Sequence, residues 1–86
     1  PFVLNLPPPL PNDGWQVKIY DAESRESPHV TITRGTKKWR IDLRERKLMD
    51  PDPPLRRVDD GVLDAVEDNW EQLVDEWNAL HPDNPV

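Results

Sequence analysis

Trp15, Val17 and Ile19 alternate with Gln16, Lys18 and Tyr20, the two-residue period of a strand buried on one face. Val30 and Ile32 alternate in the same way with His29, Thr31 and Thr33. Trp39, Ile41 and Leu43 alternate with Lys38, Arg40, Asp42 and Arg44. Arg34-Gly35-Thr36 separates the last two runs and supplies a glycine for the positive φ of a hairpin loop. The pattern predicts an antiparallel sheet with one apolar face and one wet face of charges and hydroxyls, with His29 on the wet face. From Val62 the period changes. Val62, Leu63, Val66, Trp70, Leu73, Val74, Trp77 and Leu80 recur at the i, i+3, i+4, i+7 spacing of an amphipathic helix. Asp59 or Asp60 can cap its start, and Pro82 stops it. A helix of about twenty residues is roughly 30 Å long, enough to cross such a sheet. The expected fold is α+β: an antiparallel sheet of three or four strands with one long C-terminal helix packed across its apolar face.

The remaining segments read as connections. Five of the first eleven residues are proline, and Pro7-Pro8-Pro9-Leu10-Pro11 favours an extended polyproline conformation. Residues 1–14 are therefore expected to be a proline-rich tail, 15–81 a single α+β domain, and 82–86 a C-terminal tail. The apolar Phe2, Val3, Leu4 and Leu6 leave open that the first tail lies on the domain or on a neighbour. Pro51, Pro53 and Pro54 forbid a regular helix or central strand in the link 45–58. A short extra edge strand near 46–49 is compatible with the pattern.

Length and composition narrow the classes. Eighty-six residues make one domain, and apolar residues at 35% supply a thin core that four tryptophans partly enlarge. The absence of cysteine excludes disulfide scaffolds, cysteine zinc sites, iron–sulfur clusters and thiol nucleophiles. No apolar run approaches the roughly 20 residues of a membrane span, and Pro1 fits removal of an initiator methionine. A cytoplasmic protein with no membrane association is expected.

Charge adds an asymmetry. Residues 59–86 hold nine acids and no Lys or Arg, while all eleven basic residues lie in 1–58, against eight acids. The two regions either neutralise each other, inside one fold or across a dimer, or steer a charged partner.

Two stretches resemble a known family. Ser27-Pro28-His29-Val30-Thr31-Ile32 is similar to the Pro-Pro-His-Val-His-Val stretch of the prokaryotic domain-of-unknown-function family number 4160, with Thr31 where that pattern has its second histidine. Val66-Glu67-Asp68-Asn69, then Leu73-Val74, Trp77-Asn78 and His81, resembles the family's C-terminal helix. Lys38-Trp39-Arg40-Ile41-Asp42 sits at its aromatic and acidic strand. The resemblance implies a short intracellular protein, often encoded beside another small protein in toxin–antitoxin-like pairs. Its motif positions here are Pro28, His29, Asn69, Trp77 and His81.

Candidate chemistry is sparse. No Gly-rich phosphate loop, HExxH or nucleophile motif occurs. His29 is the candidate catalytic residue, as a general acid or base in RNA cleavage, with Lys38 or Arg40 stabilising phosphate charge. Its plain reading is a hydrogen-bonded residue at a strand start. A zinc site from His29, His81 and a carboxylate such as Asp42 has no supporting spacing, so neither metal nor cofactor is expected. Lys38, Arg40 and Arg44 on the basic strand, with Glu67 and Glu71 on the acidic helix, are the candidate partner-binding residues. Trp70 and Trp77 lie two turns apart on one helix face, as core residues or as an interface anchor. The favoured function is a small protein-interaction module, binding a protein partner or itself, and nucleic acid is not favoured. The alternative is an RNA-binding or RNA-cleaving toxin using His29 and the basic 37–44 strand.

Overall fold

A computed structural model describes residues 1–86. Four strands, β1 Phe2–Val3, β2 Trp15–Ile19, β3 His29–Arg34 and β4 Lys37–Asp42, form one antiparallel sheet in the order β1-β2-β3-β4. A 3-10 turn, Leu55–Arg57, leads to helices α1 Asp60–Asp68 and α2 Trp70–Leu80. The architecture is α+β, as the period-2 and period-3.6 runs predict.

The sheet register follows the hydrophobic pattern. Val17 pairs with Ile32, Ile32 with Trp39, and Val30 with Ile41. These residues share one face, and all are buried. A one-residue slip would send the whole set to the other side, so burial fixes the register. The helices add Val62, Ala65, Val66, Leu73 and Trp77 to the same core, with α2 packed against β2. Trp15 and Trp39 meet at 5.6 Å between ring centroids, and the Trp39 indole N–H donates to Pro54 O at 3.2 Å. That bond ties the proline-rich link to the sheet.

The single long helix is corrected to two. Asn69 ends α1 and begins α2, with φ −111° and ψ 22°. Its side-chain amide donates to Ala65 O at 2.8 Å, an acceptor that its own backbone N–H also uses. Asparagine competes for backbone partners in this way, and the helix breaks where it does so. Asp59 caps α1 by accepting the Gly61 N–H at 2.7 Å.

The two expected tails are corrected as well. Phe2 and Val3 pair with Ile19 and Lys18 as the fourth strand, and Leu4 N–H donates to Val17 O at 2.9 Å. Leu4 and Leu10 belong to the core. Residues 7–14 fold into successive turns rather than an extended run, with Gly14 at φ 91° and Trp15 N–H donating to Leu10 O. The thin apolar supply explains this, because a chain so short cannot leave its leucines outside. At the other end, the Asn84 amide donates to Ser24 O and Glu26 O, and Asn84 O accepts the Trp77 indole N–H at 2.7 Å. Residues 46–49 make an isolated bridge, Ile41 to Leu48, rather than a strand. Arg46, at φ 59°, turns the chain back along β4.

Candidate functional site

His29 opens β3 beside the connection 20–28. The sequence pattern places it on a wet face, but His29, Thr31 and Asp42 are all buried. The connection covers this side because several groups pin it there. His81 Nε2 donates to Tyr20 O at 2.7 Å, which leaves its Nδ1 to accept the Ser24 hydroxyl at 2.6 Å. Asn84 holds the carbonyls of Ser24 and Glu26, and Arg40 reaches Glu26 at 3.1 Å. A polar connection folded over polar strand residues satisfies both, and no buried side-chain nitrogen or oxygen lacks a partner.

The residues that carry the resemblance divide by position. His29, Trp77 and His81 form one cluster of tilted rings, with Trp77 lying 5.4 Å from the His29 ring and 3.9 Å from the His81 ring, centroid to centroid. Pro28 is buried beside them, and its carbonyl accepts the Leu43 N–H. Asn69 acts within the helix, at the break.

His29 has both ring nitrogens engaged. Nδ1 lies 2.8 Å from Ser27 O, so Nδ1 carries the hydrogen of that bond, since a carbonyl only accepts. Nε2 faces Glu23 Oε1 at 3.1 Å and Glu26 Oε2 at 3.9 Å. Its side chain has no solvent exposure. Neither His81 nor Asp42 completes a zinc site with it. His81 is held by Ser24 and Tyr20. Asp42 accepts the Ser27 hydroxyl and the backbone N–H groups of Arg44 and Glu45. Glu23 and Glu26 are the carboxylates that face His29, at the spacing Glu-x-x-Glu-x-x-His. That spacing stands in the sequence, but only the folded connection aims it.

The basic strand is largely committed. Arg40 makes a bidentate pair with Asp50, both bonds 2.8 Å, besides its contact with Glu26. Asp50 holds the Arg40 guanidinium above its ordinary pKa, and Arg40 in turn holds Asp50 below the usual carboxylate range. Arg44 donates to Pro85 O at 2.6 Å. Lys38 is exposed and forms no ion pair. Glu67 and Glu71 are exposed on the helices.

Asp42 gives a pH prediction. Burial pushes its carboxyl up, but the Ser27 hydroxyl and the Glu45 and Arg44 N–H bonds outweigh burial, and its pKa lies below the ordinary 3.8. Asp50 is depressed as well. A depressed carboxylate stabilises the fold fully above the ordinary value and loses that contribution as pH falls through the folded value. Thermal unfolding midpoints should therefore hold steady down to about pH 4 and then drop. Asp42→Asn should start from a lower midpoint at pH 7 and show a shallower acid slope. An unchanged slope in that variant would refute Asp42's part.

A second feature lies on the helix side, where sequence periodicity leaves Trp70 ambiguous. Trp70 follows the break at Asn69 and is only half buried, whereas Trp77 is fully buried. The Arg46 guanidinium sits 4.9 Å from the centroid of the Trp70 ring. A groove of about 260 Å³ runs along this ring, its apolar wall made by residues such as Leu48, Leu55 and Leu63 and its charged lining by Arg46, Lys47 and Glu67.

No family model, curated protein or solved structure matches this chain. No helix is long and apolar enough to cross a membrane.

Proposed function

We propose that this chain is a partner-binding module that receives a basic protein segment on the acidic face of α1 and α2, with Trp70 as the apolar anchor. The observation that carries this reading is electrostatic. Every ion pair in the protein lies within residues 1–50, and none of the nine acids of residues 59–86 takes part in one. The two charged regions do not pair within one chain. Uncompensated carboxylates favour a cationic partner and repel phosphate backbones. Trp70 and its groove add an apolar seat beside Glu67 and Glu71, and aromatic anchors of this kind dominate interface energetics. The resemblance to family 4160 suggests a context: the partner would be the other member of a toxin–antitoxin-like pair, in the cytoplasm.

The RNA-cleaving alternative finds no geometric support. The His29 side chain has no solvent exposure, and Arg40 is held by two carboxylates.

The test uses two amphipathic peptides of equal length, one of Lys and Leu, the other of Glu and Leu. The basic peptide should bind, more weakly as salt rises, and should shift the Trp70 indole resonance. Trp70→Ala should weaken binding roughly thirtyfold, the scale of an interface hot spot. Glu67→Lys with Glu71→Lys should abolish it. Equal binding of both peptides, or resonance shifts confined to the 34–38 hairpin, would refute the reading. A dimer dissolved by the same two charge reversals would replace the foreign partner by a second copy of the chain.

A further inference from the structure

We infer that Glu23, Glu26 and His29 form a binding site for one divalent transition-metal ion, with zinc as the best-fitting occupant. The first ground is the His29 tautomer. Its Nδ1–H is committed to Ser27 O, so in the neutral ring the Nε2 lone pair points at Glu23 Oε1, 3.1 Å away. Two acceptors facing each other at that distance repel unless something positive joins them. The imidazole is fully buried while the two carboxylates reach the surface, so a cation can enter from the carboxylate side. A backbone carbonyl holding Nδ1–H is also the arrangement that orients a metal-binding imidazole and raises its basicity.

The second ground is convergence. Glu26 Oε2 approaches the same Nε2 at 3.9 Å, and one ligand atom from each residue lies within 4.8 Å of the other two. Ligands bound at about 2.0–2.2 Å around tetrahedral zinc are separated by roughly 3.3 Å. The observed spacing reaches that value by small side-chain movements of Glu23 and Glu26, both partly exposed. His29 is fixed between Ser27 O and the Trp77 ring.

Charge is the third ground. Glu23 forms no pair with Lys or Arg, and Arg40 is shared between Glu26 and Asp50. The Arg40 contact uses Glu26 Oε1 and leaves Oε2 turned to His29. A ligating carboxylate held from behind by an N–H donor is a usual outer-shell arrangement. One imidazole and two carboxylates suit zinc better than magnesium or calcium, which prefer all-oxygen sites. Three protein ligands leave the fourth zinc position to water, on the solvent side where Glu26 is exposed.

The experiment titrates the full chain with zinc against a chromophoric chelator at pH 7.5, and with cobalt for its visible spectrum. One-to-one binding is expected, with a tetrahedral cobalt spectrum. Glu23→Gln and Glu26→Gln should each weaken zinc by about tenfold or more, with circular dichroism unchanged. Asp52→Asn, an exposed carboxylate away from the cluster, should leave affinity as it was. Nitrogen-15 resonances should show Nδ1 still protonated and Nε2 without its proton in the zinc-loaded protein. Three results would overturn the site: no one-to-one binding at micromolar metal, binding unchanged in both the Glu23 and Glu26 variants, or an Nε2 that keeps its proton at saturating zinc. In the last case a second proton joins His29 to the carboxylates, and the cluster is an ion-pair clamp.

Discussion

Trp77→Ala is expected to lower the unfolding free energy by about 3–5 kcal/mol, the range for removing a buried aromatic side chain. A domain of this length has roughly 4–13 kcal/mol in total, so the loss removes at least about a quarter of it. The reason is position as well as area. Trp77 is fully buried, touches both histidines, and donates its indole N–H to Asn84 O. Removing it leaves a cavity beneath His29 and frees the segment that holds the 20–28 connection through Asn84. Trp77→Phe separates these effects, because it keeps most of the apolar volume but loses the indole donor. Its cost should be smaller, and hydrogen exchange should rise first in residues 20–28 and 82–86. Urea unfolding of both variants reads the energies. A loss under about 1.5 kcal/mol for the alanine variant would contradict this packing.

Removing residues 1–10 is expected to destabilise the domain by about 3–6 kcal/mol, from the burial of two leucines at about 1.5–3 kcal/mol each. A dispensable tail would cost nothing. Leu4 and Leu10 reach the core from opposite ends of the segment. Leu4 follows β1, where its N–H bonds Val17 O. Leu10 lies against the start of α1, where a Cβ added at Gly61 would meet a Leu10 methyl at 3.4 Å. The loss would also bare the outer edge of β2, and an unpaired edge invites association between chains. Denaturant midpoints report the first effect, and sedimentation the second. A truncated chain as stable and monomeric as the full one would mean that β1 and Leu10 add nothing. Leu4→Ala and Leu10→Ala, each expected to cost about 2–3 kcal/mol, locate the effect if the truncated chain does not fold.

The pattern of residues was sufficient for β2, β3, β4, the hairpin at Gly35 and the helical stripe, because periods of 2 and 3.6 are imposed locally by backbone geometry. It also placed Trp15 and Trp39 on the apolar sheet face and left Trp70 and Trp77 together on the helical stripe, as core or as anchor. Trp70 shares the periodicity of Trp77, yet it stays half exposed because the helix breaks at Asn69, one residue earlier. That break depends on a side-chain amide choosing Ala65 O, which periodicity does not encode.

Proline content suggested two tails and the alternation a wet sheet face; tertiary structure folded the tails in and covered that face at His29, Thr31 and Asp42. A chain with so few apolar residues folds Leu4 and Leu10 inward. The polar connection 20–28 lies over His29, its own residues mostly exposed, because His81, Asn84 and Arg40 meet it from distant points in the chain. The facing of Glu23 and Glu26 onto His29 arises only from that closure. Local periodicity determines which side chains share a face. Long-range hydrogen bonds determine which polar groups lose their water, and so where charge and chemistry gather.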